Sequence, residues 1–130
     1  MRARLNSYFS PDVDDLESFR PAKPDDYGYL LTLYVGADDD QPGEEVFYIV
    51  VCTPEWLRAR YASDDLVIGH QYLIVFDYGF TKIENFIREY VESCEAPSWT
   101  ELMRRVGMLG SWEFDGDRVL ERHRARIRPR

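Results

Sequence analysis

Val46-Phe47-Tyr48-Ile49-Val50-Val51-Cys52 followed by Thr53-Pro54-Glu55-Trp56-Leu57 decides the fold of this chain. The first run is β-branched and aromatic, and it is apolar at odd and even positions alike. A strand over Glu45 to Cys52 that is apolar on both faces belongs inside the sheet. The second run opens a helix. Thr53 supplies an N-cap hydroxyl, Pro54 suits the first helical position, and Glu55 places an acid beside the positive dipole end. That helix is short, from Pro54 to about Tyr61, with Trp56, Leu57 and Arg60 on its packed side, and Asp64-Asp65 ends it.

Upstream, Tyr27 to Val35 sets Tyr29, Leu31, Leu33 and Val35 on one face of a strand. The run Gly36-Ala37-Asp38-Asp39-Asp40-Gln41-Pro42-Gly43 is almost entirely turn-forming and joins the two strands as an antiparallel hairpin. Before it, residues 3–9 alternate Ala3, Leu5, Ser7 and Phe9 against polar neighbours and read as a half-exposed first strand. The prolines and aspartates of residues 10–26 predict an ordered but irregular loop, pinned by Val13, Leu16 and Phe19.

Downstream, Leu66 to Phe76 reads as a returning strand with an irregularity at Gly69-His70. Thr81-Lys82-Ile83-Glu84 has the spacing of a capping box, with Thr81 as N-cap. Ile83, Phe86, Ile87, Tyr90, Val91 and Cys94 then form one apolar helical stripe. Ser98 and Glu101 repeat the capping logic for a shorter helix carrying Trp99, Leu102, Met103 and Val106, closed by Gly107. Leu109 to Phe114 is a last short strand. The expected fold is α+β: an antiparallel sheet of four to five strands with about three helices packed mainly on one face. Trp56, Trp99, Trp112, Phe86, Ile87 and Val91 are expected in or beside its core.

The chain has 130 residues, 45% of them hydrophobic and 15% aromatic, which suits one self-sufficient domain. Its net charge of −8 is unevenly distributed. Residues 118–130 hold six arginines against Glu121, leaving 10 basic and 23 acidic side chains for residues 1–117. The expectation is one domain over 1–117 and an arginine-rich tail over 118–130 without apolar support. So acidic a body repels nucleic acid and anionic lipid, and complements a basic protein surface. Cys52 and Cys94 fit neither a disulfide framework nor a zinc site. The N-terminus turns polar at once, and no apolar run approaches the ~20 residues that span a bilayer. A reduced, cytoplasmic protein is expected.

Catalytic patterns are scarce. The histidines are His70 and His123, and His123 lies in the arginine tail, so His70 is the one candidate general base of its kind. Phosphate-loop, dinucleotide and zinc-hydrolase motifs do not occur. Asp12-Val13-Asp14-Asp15-Leu16-Glu17 lacks the central glycine and distal glutamate of a calcium loop, and reads as a solvated acidic loop. No cofactor is expected. Two acidic loops lie beside aromatic residues: Asp12, Asp14, Asp15 and Glu17 near Tyr8, Phe9 and Phe19, and Asp38, Asp39, Asp40, Glu44 and Glu45 near Tyr34 and Tyr48. Acids steer encounter with a basic surface, and aromatics supply contact energy. Asp14, Asp15, Glu17, Asp38, Asp39 and Asp40 are therefore the candidate partner-binding residues. An adaptor or structural module, or a small enzyme using His70, remain as alternatives.

Several segments together carry a resemblance. They are Ser10-Pro11-Asp12 with Asp15-Leu16-Glu17, Tyr27-Gly28, Cys52-Thr53-Pro54-Glu55-Trp56-Leu57, and Gly69-His70 with Leu73-Ile74-Val75. Val91-Glu92-Ser93-Cys94-Glu95, Trp99 and Gly110-Ser111-Trp112-Glu113-Phe114 complete the set. Over roughly residues 1–115 the chain resembles immunity protein family 8 of bacterial polymorphic toxin systems. That resemblance implies an α+β immunity protein that protects its own cell by binding a toxin domain encoded beside it, without a catalytic residue of its own. A basic nuclease is one toxin whose phosphate-binding surface an acidic inhibitor could occupy.

Overall fold

A computed structural model of the chain describes residues 1–38, 42–64 and 66–113. The elements run β1 (Ala3–Phe9), β2 (Gly28–Ala37), β3 (Glu45–Cys52), α1 (Pro54–Arg60), β4 (Tyr72–Ile74), α2 (Phe80–Ser93), α3 (Trp99–Val106) and β5 (Ser111–Trp112). The sheet order is β1-β2-β3-β4, with β5 also pairing β3. The α+β class and its five strands and three helices are as expected. The arginine-rich tail, His123, Phe114, Asp39, Asp40 and Asp65 lie outside the described residues.

The double-faced reading of β3 holds. Phe47, Ile49 and Val51 join the larger core beneath α2 and α3. Val50 and Cys52 point the other way, into a smaller core with Leu30 and Trp56 of α1. Two helices thus cover one face of the sheet and α1 covers part of the other. The sheet is mixed where a wholly antiparallel one was expected, because β4 pairs with β3 in parallel, Val50 opposite Tyr72 and Cys52 opposite Ile74. A parallel neighbour requires a long crossover, and residues 53–71, including α1, supply it.

Thr53 is the junction between sheet and helix. Its hydroxyl accepts from the backbone N–H of Trp56 at 3.4 Å and of Tyr27 at 3.1 Å, while its own N–H donates to the Tyr27 carbonyl at 2.9 Å. This holds Trp56 across β2, where only a glycine leaves room. A Cβ on Gly28 would stand 2.4 Å from the indole. Arg60 covers the outer side of the same indole, its guanidinium carbon 5.3 Å from a ring centroid, as the packed side of α1 was expected to do.

The strand register breaks in β1. Leu5 pairs with Val35 but Ser7 with Tyr34, so one residue is inserted at Asn6. The bulge exchanges the faces of the strand's second half. Ala3 and Leu5 are buried, but Tyr8 then turns toward the core and Phe9 outward, opposite to the simple alternation. The Leu5 carbonyl accepts instead from Arg88 Nη1 at 3.3 Å.

Three downstream expectations are corrected. The strand foreseen over Leu66 to Phe76 shrinks to Tyr72–Ile74, since only that stretch lies alongside β3. Its irregularity is a turn from Gly69 to Tyr72, which includes the expected Gly69-His70 and holds Gln71 at a left-handed φ of 79°. Thr81 is not an N-cap: α2 begins at Phe80, with Gly79 in the cap position and no side-chain cap. Asp77 organises this turn by accepting from the N–H groups of Tyr78 and Gly79. Phe86 is not in the core but 51% exposed. The sheet-facing line of α2 is Phe80, Ile83, Ile87 and Val91, and Phe86 stands one step off it. Ser98 does cap α3, accepting from Glu101 N–H at 3.3 Å, and Leu102, Met103 and Val106 are buried.

The outer edge of β1 is covered at its start. Ala3 N–H donates to the Cys94 carbonyl at 3.0 Å, and Ala96 N–H to the Met1 carbonyl at 2.9 Å. Arg2 Nε donates to Glu95 at 2.9 Å, and the pair forms an exposed salt bridge. That bond raises the Arg2 pKa and lowers that of Glu95.

The Gly28 contact makes a direct prediction. Gly28→Ala should lower stability by about 2 kcal/mol, in the range for overpacking a filled site. Urea unfolding followed by tryptophan fluorescence checks it. A midpoint equal to the wild type would mean that the indole does not rest against this backbone.

Candidate functional site

The loop leaving β1 folds back over the edge of the sheet. Asp12 Oδ2 accepts from the N–H of Leu30 at 2.8 Å, extending the β2 ladder beyond the end of β1. Phe19 anchors the far side, its ring meeting Tyr27 and Tyr29 edge-on at 5.6 and 5.5 Å. Val13 and Leu16 are also packed against the core, as expected. Between these anchors lies a groove of about 380 Å³ lined by Tyr8, Phe9 and Phe80 and by Asp14, Asp15 and Glu17.

The acids of this groove are exposed. Asp15 Oδ1 accepts from Glu17 N–H at 3.2 Å, a local turn that keeps both side chains at the rim. The carboxylates of Asp14 and Glu17 make no hydrogen bond among the described residues. The aromatic floor is packed. Tyr8 packs on Phe80 at 5.4 Å and its hydroxyl donates to Glu84, and Phe9 stacks on Tyr34 at 6.1 Å. Burial, and then the bond to Glu84, push the Tyr8 phenol up to about 12.

The second acidic cluster lies at the opposite end of β2. From Leu30, held by Asp12, to Asp38 the strand covers roughly 25 Å at about 3.3 Å per residue, so the two sets are not brought together. Asp38 is exposed but accepts from Arg2 N–H at 3.0 Å. Glu44 accepts from Asn6 Nδ2 at 2.8 Å. Glu45 accepts from the indoles of both Trp99 and Trp112, at 3.2 and 3.1 Å, and so joins α3, β3 and β5. Sequence counted Glu44 and Glu45 as loop acids, and their internal bonds are visible only in three dimensions. Asp38, Glu44 and Glu45 are engaged within the molecule, whereas Asp14 and Glu17 face outward.

His70 serves the fold. Its Nε2–H donates to the carbonyl of Gly107, at the end of α3, at 2.9 Å. The neighbouring groove includes Arg104 and Met108, and no carboxylate among the described residues. Cys52 is buried, and burial raises its thiol to about 12. The same cause raises the half-buried thiol of Cys94. Among the described residues no group of three or more His, Cys, Asp or Glu side chains is placed to hold a metal ion. No described helix is long and apolar enough to cross a membrane.

Fold and groove together define a small acidic α+β domain that presents an acid-rimmed aromatic groove at one edge of its sheet. The chain belongs to the immunity protein 8 family, whose model matches residues 3–116. No curated protein and no solved structure matches it. The segments that carry the resemblance acquire a structural meaning here. Tyr27-Gly28 and the Cys52 to Leu57 run are two halves of one contact, and Gly110 lets the chain pass 2.8 Å from the Tyr48 carbonyl, where a Cβ would stand.

The groove tyrosine predicts a pH dependence. Tyr8 and Tyr27 titrate near 12 when folded, against 10 for a free phenol. Their contribution is complete below pH 10 and is lost as pH rises toward 12, because the unfolded chain releases these protons first. Unfolding midpoints measured across that window should fall less steeply for Tyr8→Phe than for the wild type. Equal slopes would place the Tyr8 hydroxyl in solvent.

Proposed function

We propose that this protein neutralises a cognate toxin domain by direct contact, and that the groove rimmed by Asp14, Asp15 and Glu17 receives a basic segment of that toxin. The observation that carries the reading is the state of this groove in a chain of the immunity protein 8 family: outward carboxylates stand over a packed aromatic floor. Charge at the rim accelerates encounter, and exclusion of water over Tyr8 and Phe9 lengthens the life of the complex. Such a division suits an inhibitor that must capture its toxin in the cytoplasm before the toxin acts. A nuclease toxin fits this picture, because the arginines and lysines that grip phosphates would meet carboxylates in their place. Asp38, at the other end of β2, adds to the long-range field and forms a second, subordinate contact, to which Asp39 and Asp40, next in sequence, contribute charge. Inhibition needs no catalysis and no cofactor.

The groove and the second cluster are far enough apart to be tested separately. Titration with the toxin domain encoded beside the gene should give saturable one-to-one binding that weakens with salt. Reversing Asp14, Asp15 and Glu17 to lysine should slow association by roughly 10–100-fold at low salt and flatten its salt dependence. Reversing Asp38 alone should change the rate by less than about threefold. Wild-type kinetics in the triple variant would move the interface away from the groove.

A further inference from the structure

Apolar surface collects at the opposite side of the sheet, around β4. Phe76 is 85% exposed, Ile68 83% and Leu66 82%, with Phe86 and Ile74 about half exposed. Ile74 lines two grooves at once. One, of about 450 Å³, lies toward α1 with Leu57 and Leu66, and the other, of about 420 Å³, lies toward α2 with Phe76 and Phe86. The apolar surface is therefore continuous from one face of the sheet, around its edge, to the other.

Among the described residues, the edge itself is unfinished. The Gln71 carbonyl accepts from Val50 N–H, and Val75 N–H donates to the Cys52 carbonyl, each at 2.8 Å. Backbone groups alternate in direction along a strand, so those of Tyr72 and Ile74 face away from β3. Tyr72 N–H is taken by the Gly69 carbonyl at 3.3 Å, which leaves the peptide groups of Ile74 toward the open side. The edge of β1, by contrast, is bridged by residues 94–96. An open strand with apolar flanks on both faces is a template for another strand.

Area and charge identify the occupant. The exposed side chains that line the two grooves, Leu66, Ile74, Phe76 and Phe86, amount to on the order of 500 Å², toward the upper end of the largest patch of a typical monomer and more than half of the ~800 Å² that each partner of a stable complex contributes. Each groove carries one charge of each sign, Arg58 with Asp64 and Lys82 with Asp77. A basic toxin finds no net attraction on a surface so balanced, and a second copy meets no net repulsion.

We propose that a second copy of this chain docks on this face, β4 against β4 in antiparallel sense, to make one sheet continuous through the dimer. The interface is independent of the toxin reading. β1 and β4 are the outer strands of the sheet, so the dimer leaves both acidic grooves open.

Sedimentation velocity over a concentration series tests this. The mass should rise from 15.4 kDa to twice that value. Ile68→Lys with Phe76→Glu, both at exposed positions, should raise the dissociation constant roughly hundredfold or more while leaving the circular dichroism and unfolding midpoint of the monomer unchanged. Asp14→Lys should leave self-association intact. A wild-type protein that stays monomeric at high micromolar concentration overturns the proposal, as does a dimer indifferent to both substitutions. Loss of toxin affinity in the double variant of a monomeric protein would assign the face to the toxin instead.

Discussion

The rest of the architecture depends on the seating of Trp56 against Gly28. The indole can lie flat on β2 only because position 28 has no side chain. It is held there by Thr53, whose hydroxyl and amide serve Tyr27 and the first turn of α1 together. With α1 fixed on that face, the chain must travel back along the sheet before it can start again. The return makes β4 parallel and places it at the edge. The largest departure from a plain antiparallel meander thus follows from one close approach between a ring and a backbone.

The groove has its own origin in the bulge at Asn6. Without the inserted residue, Phe9 would face the core and Tyr8 the solvent. With it, Tyr8 reaches Phe80 and Glu84, and Phe9 meets Tyr34 on the outer side. Both rings then border the loop that carries Asp14, Asp15 and Glu17. An irregularity of the strand thereby converts a solvated acidic loop into a shaped one.

Much of this was legible in the chain because it is local. The caps at Thr53 and Ser98, the double-faced β3, and the anchors Val13, Leu16 and Phe19 each follow from residues within a few positions of one another. What escaped reading is not local. A bulge is set by the partner strand, and Asn6 is fitted against Gly36 across the pair. The Thr81 box lost to Gly79 because Asp77 already organised a turn that starts the helix two residues earlier. Phe86 has helical spacing to the stripe, yet β4 is too short to lie beneath it. Glu45 appears in sequence as one more surface acid, and only the arrival of Trp99 and Trp112 from distant segments makes it a joint. The four candidate contact acids among the described residues, Asp14, Asp15, Glu17 and Asp38, divided for the same reason, since neither strand length nor internal bonding can be counted from composition.

The bridge between the start of β1 and residues 94–96 has a consequence in time. β1 is synthesised well before the Cys94 carbonyl and Ala96 N–H that close its outer edge. At translation rates of about 5–20 residues per second, the nascent edge waits on the order of 5–20 seconds for those partners. Throughout that interval the growing polypeptide carries an unguarded strand. The order of synthesis, more than the final stability, therefore sets when a cell crowded with identical nascent chains is most exposed to mispairing.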